Sequence, residues 1–71
     1  MADTMVWELR KDGRETKCLM RSQAGQFEIA VLYEGLRMQR QLCLHKGDAL
    51  RLANLERHKW ESFGWLAPTA A

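Results

Sequence analysis

The glycines cut this chain into lengths that suit strands better than helices. Gly13, Gly25, Gly35 and Gly47 recur every ten to twelve residues, and each stands where an element should end. Asp12-Gly13 and Glu34-Gly35 read as hairpin turns, because glycine supplies the positive φ that a tight turn needs. Gln23-Ala24-Gly25 reads as a slightly longer connection. Between these points apolar residues alternate with polar ones, the period of a half-buried strand.

The central piece, Phe27 to Tyr33, is the most apolar and reads as a strand buried on at least one face. A first strand is expected over residues 5–11, with Met5, Trp7 and Leu9 on one face and Val6, Glu8 and Arg10 on the other. A second is expected over 15–22, placing Cys18 and Met20 opposite Lys17, Leu19 and Arg21. A fourth is expected over 37–45, with Met38, Leu42 and Leu44 sharing a face against Gln39, Gln41, Cys43 and His45.

After Gly47 the apolar period lengthens to that of a helix. Asp48 is the expected N-cap, and Ala49, Leu52, Ala53, Trp60 and Phe63 form the inner stripe. Arg57, His58 and Lys59 lie near the negative end of the dipole. Gly64 fits a left-handed cap, with Trp65 folding back onto the last turn near Trp60.

The expected fold is therefore α+β: a four-stranded antiparallel meander with one C-terminal helix on its more apolar face. Residues 1–65 form a single small domain and 66–71 a flexible tail. Trp7, Phe27, Ile29, Val31, Leu42, Leu52 and Trp60 are the expected core. Two charges break the pattern. Arg40 falls on the covered face and Glu56 near the centre of the helix stripe. Either a local bulge and a rotated helix release both to solvent, or the two pair across the layer, since an unpaired buried charge is costly.

With 71 residues, the chain buries a modest fraction of its surface, and oligomerisation is one of the usual remedies. A net charge of +2 is too small to imply nucleic acid by itself. The first residues show no basic stretch followed by an apolar run, and no segment reaches the length of a membrane span. A cytoplasmic protein with two reduced thiols, Cys18 and Cys43, is expected, with no membrane partner.

The uncovered sheet face is the candidate binding surface. Arg10, Lys17, Arg21, Arg37 and His45 are expected there, with Glu8 and Glu28, around an apolar patch of Val6, Leu19, Ala30 and Leu32. The expected function is that of a small non-enzymatic interaction module, self-associating through this face, where Leu19 and Leu32 mark a surface for a second copy, or through an edge strand; the alternative is single-stranded nucleic acid, held by the three arginines Arg10, Arg21 and Arg37 and by Lys17. The second use lacks an aromatic platform, because Trp7, Phe27 and Tyr33 all fall on the covered side. Catalytic, metal and cofactor sets are not expected. Cys43 and His45 share a strand face without an orienting third group, Cys18 lies on the other face, and each glycine stands alone rather than in a phosphate loop.

Trp7-Glu8-Leu9-Arg10-Lys11-Asp12-Gly13, then Cys18, Glu28, Asp48-Ala49 and Gly64-Trp65, together resemble a group of short, uncharacterised proteobacterial proteins that begin W-x-L-x-x-x-G and end on a helix closed by G-W. The resemblance implies a bacterial cytosolic protein of sheet-plus-helix fold and implies no activity. The element order is also similar to that of the positive-cofactor family of transcriptional coactivator domains, which dimerise and bind single-stranded nucleic acid; that likeness is one of architecture alone.

Overall fold

The computed structural model describes residues 3–68. Four strands, β1 (Asp3–Lys11), β2 (Arg14–Gln23), β3 (Gln26–Tyr33) and β4 (Leu36–Cys43), form one antiparallel sheet in sequence order, and helix α1 (Lys46–Glu61) packs across one face. The meander and its helical cover are those expected from the sequence.

All three hairpins close on two residues with positive φ: Asp12 and Gly13 (53° and 76°), Ala24 and Gly25 (51° and 76°), Glu34 and Gly35 (51° and 80°). That is the type I′ turn, whose twist matches the flanking strands. The expected longer connection at residues 23–25 is therefore a two-residue turn, with Gln23 and Gln26 paired across it.

Two bulges decide which side chains face the helix. In β1, Met5 opposes Leu19 and Trp7 opposes Cys18, so Val6 has no partner. In β4, Val31 opposes Gln39 and Leu32 opposes Arg37, so Met38 has none. One extra residue on a strand reverses the facing of everything beyond it. Val6 consequently packs against the core, and Met5 stands exposed on the uncovered face, the reverse of the expected alternation. Beyond Met38, Gln39, Gln41 and Cys43 take the helix side, and Arg40 and Leu42 take the open side. An unbulged β4 would instead have set Arg40 against Ile29 on the covered face.

The core comprises Trp7, Leu9, Cys18, Met20, Ile29, Val31, Ala49, Ala53 and Trp65. Of the expected core, Trp7, Ile29 and Val31 are buried, Phe27, Leu52 and Trp60 are half-buried, and Leu42 is exposed. Met38 and Leu44 are also exposed. The one buried polar residue in the described chain, Thr16, is satisfied: its hydroxyl donates to the Leu32 carbonyl at 3.0 Å.

Ala49 and Ala53 are fully buried, and their small side chains let α1 approach the sheet closely. Trp7 Nε1 donates to the Ala53 carbonyl at 2.7 Å, which ties the first strand to the middle of the helix. The helix begins earlier than expected. Its N-cap is His45, in extended conformation and without a side-chain cap bond, so Asp48 is not the cap but a first-turn acid favoured by the dipole. At the other end Gly64 (φ +93°) turns the chain back. Trp65 then meets Trp60 edge to face at 5.0 Å, as expected, while Tyr33 stacks on Trp60 at 6.2 Å. Phe63, expected in the inner stripe, is exposed.

The segment after the helix is anchored where a flexible tail was expected. Arg10 and Leu66 exchange both backbone bonds, at 2.7 and 3.1 Å, and Lys11 Nζ donates to the Phe63 carbonyl at 2.5 Å. Residues 69–71 of that expected tail lie outside the described residues.

Candidate interaction surface

The antiparallel register sets the side chains of the uncovered face in rows. One row carries Asp3, Arg21, Glu28 and Leu42; the next Met5, Leu19, Ala30 and Arg40; the next Glu8, Lys17, Leu32 and Arg37; the last Arg10 and Glu15. Like charges rarely sit side by side, so the face pairs its own charges off. Arg10 lies 3.3 Å from Glu8 and 3.4 Å from Glu15, and Lys17 lies 3.7 Å from Glu15. Arg21 donates Nε to Asp3 at 2.8 Å, and that hydrogen bond holds the Asp3 carboxyl below its ordinary value. Arg40 reaches Glu28 at 3.0 Å. Of the two readings of these charges, the local bulge holds for Arg40: the Met38 bulge turns it outward to Glu28, and no Arg40–Glu56 pair forms across the layer. Glu56 stays half-buried on the inner stripe of α1.

The sequence-derived site residues therefore share one face but not one role. Arg10 and Lys17 belong to a charge cluster at one end, and Arg21 is committed to Asp3. Leu19 and Leu32 are half-buried among these charged chains. Arg37 makes no ion pair among the described residues. Two shallow depressions adjoin on this face and share Arg21 and Glu28; one extends toward Arg40 and Leu42, the other toward Leu32 and Arg37. His45 and Val6 leave the expected patch, the first to the helix N-terminus and the second to the core side.

The more open feature is β4. Apart from Cys43, every residue of this edge strand is exposed. Leu36, Met38 and Leu42, with Leu44 just beyond, are 68%, 62%, 55% and 67% exposed. The segment 36–46 also contains no carboxylate, only Arg37, Arg40 and Lys46. The sequence allows an edge strand as a self-association surface, but its pattern places Met38, Leu42 and Leu44 inside and so hides that β4 carries them into solvent. The available signal was Arg40, whose misfit on the covered face marks the strand as out of phase.

The thiols and imidazoles do not converge. Cys18 is fully buried, and that burial, with Glu56 nearby, pushes its pKa up to about 11. Cys43 is half-buried against the core, while His45 caps the helix. Among the described residues no three His, Cys, Asp or Glu side chains gather as a metal would require. No described helix is long and apolar enough to cross a membrane. Comparison of the chain with family models, with curated proteins and with solved structures gives no match.

Proposed function

We propose that this chain is a small non-enzymatic interaction module of the cytoplasm that self-associates through the free edge of its sheet. The observation that supports this reading is β4: an edge strand exposed along nearly its whole length, carrying Leu36, Met38 and Leu42 into solvent. An edge presents unpaired backbone donors and acceptors, and natural sheets usually blunt such edges. Here the two arginines and the bulge are modest protection. The domain also leaves large apolar side chains outside a small core, the condition that oligomerisation relieves.

Single-stranded nucleic acid is the competing occupant, on the open face. Its support is Arg37, which lies beside Arg21 and makes no ion pair among the described residues. Against it, Asp3, Glu8, Glu15 and Glu28 lie among the five cations and neutralise most of them, leaving little field to hold phosphates.

Sedimentation over a wide concentration range separates the two readings. Self-association through β4 gives a species of twice the 8.3 kDa chain mass. It is abolished by Leu42→Lys and survives Leu19→Glu. A folded monomer at every concentration refutes the proposal. Salt-sensitive binding of a labelled single strand, lost in Arg37→Gln, would replace it with the nucleic-acid reading.

A further inference from the structure

We infer that two copies join β4 to β4 in antiparallel register about a two-fold axis at Gln41, extending each four-stranded sheet into one continuous sheet. This deepens the self-association reading above and rests on it.

Three observations lead to that register. First, the free edge of the sheet is at β4. On β1 the Val6 bulge and the Arg10–Leu66 bridge leave, among the described residues, only two short straight runs without a bridge, Asp3–Met5 and Trp7–Leu9. Second, β4 itself is straight only beyond its own bulge, from Gln39 to Cys43. An isologous antiparallel pair that uses all of that run must centre on its middle residue, Gln41. Third, charge selects among the neighbouring registers that keep the same faces together. An axis at Arg40 sets that guanidinium directly against its own copy, and like charges opposed on a sheet are destabilising. An axis at Leu42 pairs only residues 41–43 within the strand.

With the axis at Gln41, Arg40 faces Leu42 of the second copy. Leu42 in turn lies directly across from Glu28, on β3. The order across the junction is therefore Glu28, Leu42, then the second copy's arginine. Two carboxylates and two guanidiniums alternate symmetrically around a pair of leucines. Glu28 is already shielded, its side chain 15% exposed, and it pairs with Arg40 within one chain. The second guanidinium complements a charge that this arrangement desolvates further. On the helix side, Gln39 faces Cys43 and Gln41 faces itself.

The test is a cysteine placed on the axis. In a Cys43→Ser background, Gln41→Cys brings two thiols opposite each other at a Cα separation of about 4.5–5.5 Å, within the range a disulfide spans. Cys18 stays silent, being fully buried with a raised pKa. Mild oxidation of the full chain should convert Gln41→Cys almost wholly to disulfide dimer, while Arg37→Cys, off the straight run, stays monomeric on reducing-agent-free gels. Gln41→Lys, which opposes two ammonium groups at an exposed position, should weaken dimerisation at least tenfold in sedimentation.

A dimer by sedimentation without Gln41→Cys cross-linking overturns this register and leaves self-association standing. Equal cross-linking at residues 37 and 41 overturns it as well, since collision then explains both. A monomer throughout overturns the register together with the reading it rests on.

Discussion

Deleting Met38 should leave this fold intact, an unusual expectation for the middle of a strand. Met38 is the unpaired residue of the β4 bulge: Leu32 opposes Arg37 and Val31 opposes Gln39, so removing it makes those pairs consecutive and changes no facing. What is lost is the contact made by a side chain that is 62% exposed. The covered part amounts to about 70 Å², worth about 1.8 kcal/mol at roughly 25 cal/mol per Å². Regularising the ladder offsets part of this, so the net loss should be below about 2 kcal/mol. Had β4 kept the unbulged register, Arg40 would sit beneath the helix, and a deletion that moved it would change stability by the several kcal/mol of a buried charge. Urea unfolding measures the difference directly: the midpoint should fall slightly with an unchanged slope. Arg40→Gln should then have the same small effect in the deletion as in the parent, because Arg40 still meets Glu28. A loss above about 3 kcal/mol, or an Arg40 effect present in only one background, would refute the assignment of Met38 as the bulge.

Further outcomes follow from single contacts. Ala24→Asn should stabilise by about 0.5–1 kcal/mol in thermal unfolding, since Ala24 holds φ at +51° in a turn whose first position favours asparagine. Ala53→Leu should cost about 1–3 kcal/mol, because Ala53 is fully buried under Trp7 and has no room for extra methylenes. The Asp3 carboxyl should titrate below the ordinary 3.8 by NMR and return to it in Arg21→Gln. Because its folded pKa is depressed, its contribution to stability is present above the unfolded value and is lost as pH falls through the folded one. At pH 8 a thiol reagent should modify Cys43 and leave Cys18 unreacted until the chain unfolds, as expected for a buried thiol with pKa about 11.

The sequence made most elements readable because a turn or cap signal coincides with the end of a periodic run. Asp12-Gly13 and Glu34-Gly35 end alternating runs, and Gly64-Trp65 ends a helical one. The inner faces of β2 and β3 were readable for the same reason, since neither strand is interrupted. The outer strands misled because Val6 and Met38 are themselves ordinary strand residues, and reading with period two across a bulge puts one side of it on the wrong face; in β4 the misfit of Arg40 was its single mark, and β1 had none. In β4 the error had an apolar disguise, as Met38, Leu42 and Leu44 look like an inward set. Tertiary geometry overrode it by turning Arg40 toward Glu28. The alanines of α1 were read as part of a stripe, but their importance lies in what they omit, which only the approach of Trp7 reveals. The binding surface was half legible. Its charged residues were located, yet their mutual neutralisation depends on cross-strand register, and the exposed edge depends on the bulge.

The exchange of backbone bonds between Arg10 and Leu66 has a consequence for how large an assembly of this chain can become. A sheet with two open edges is a monomer unit for a polymer: each added copy presents a fresh edge, and growth has no natural end. Here the segment after the helix lies along β1 and, with the Val6 bulge, makes the two edges unlike. The proposed association at β4 would use the more open edge of each copy and leave the two partly covered β1 edges outward. In the proposed dimer the turn that brings Leu66 to Arg10 would act as a terminator, and a pair of hydrogen bonds far from the joining surface would hold the complex at two.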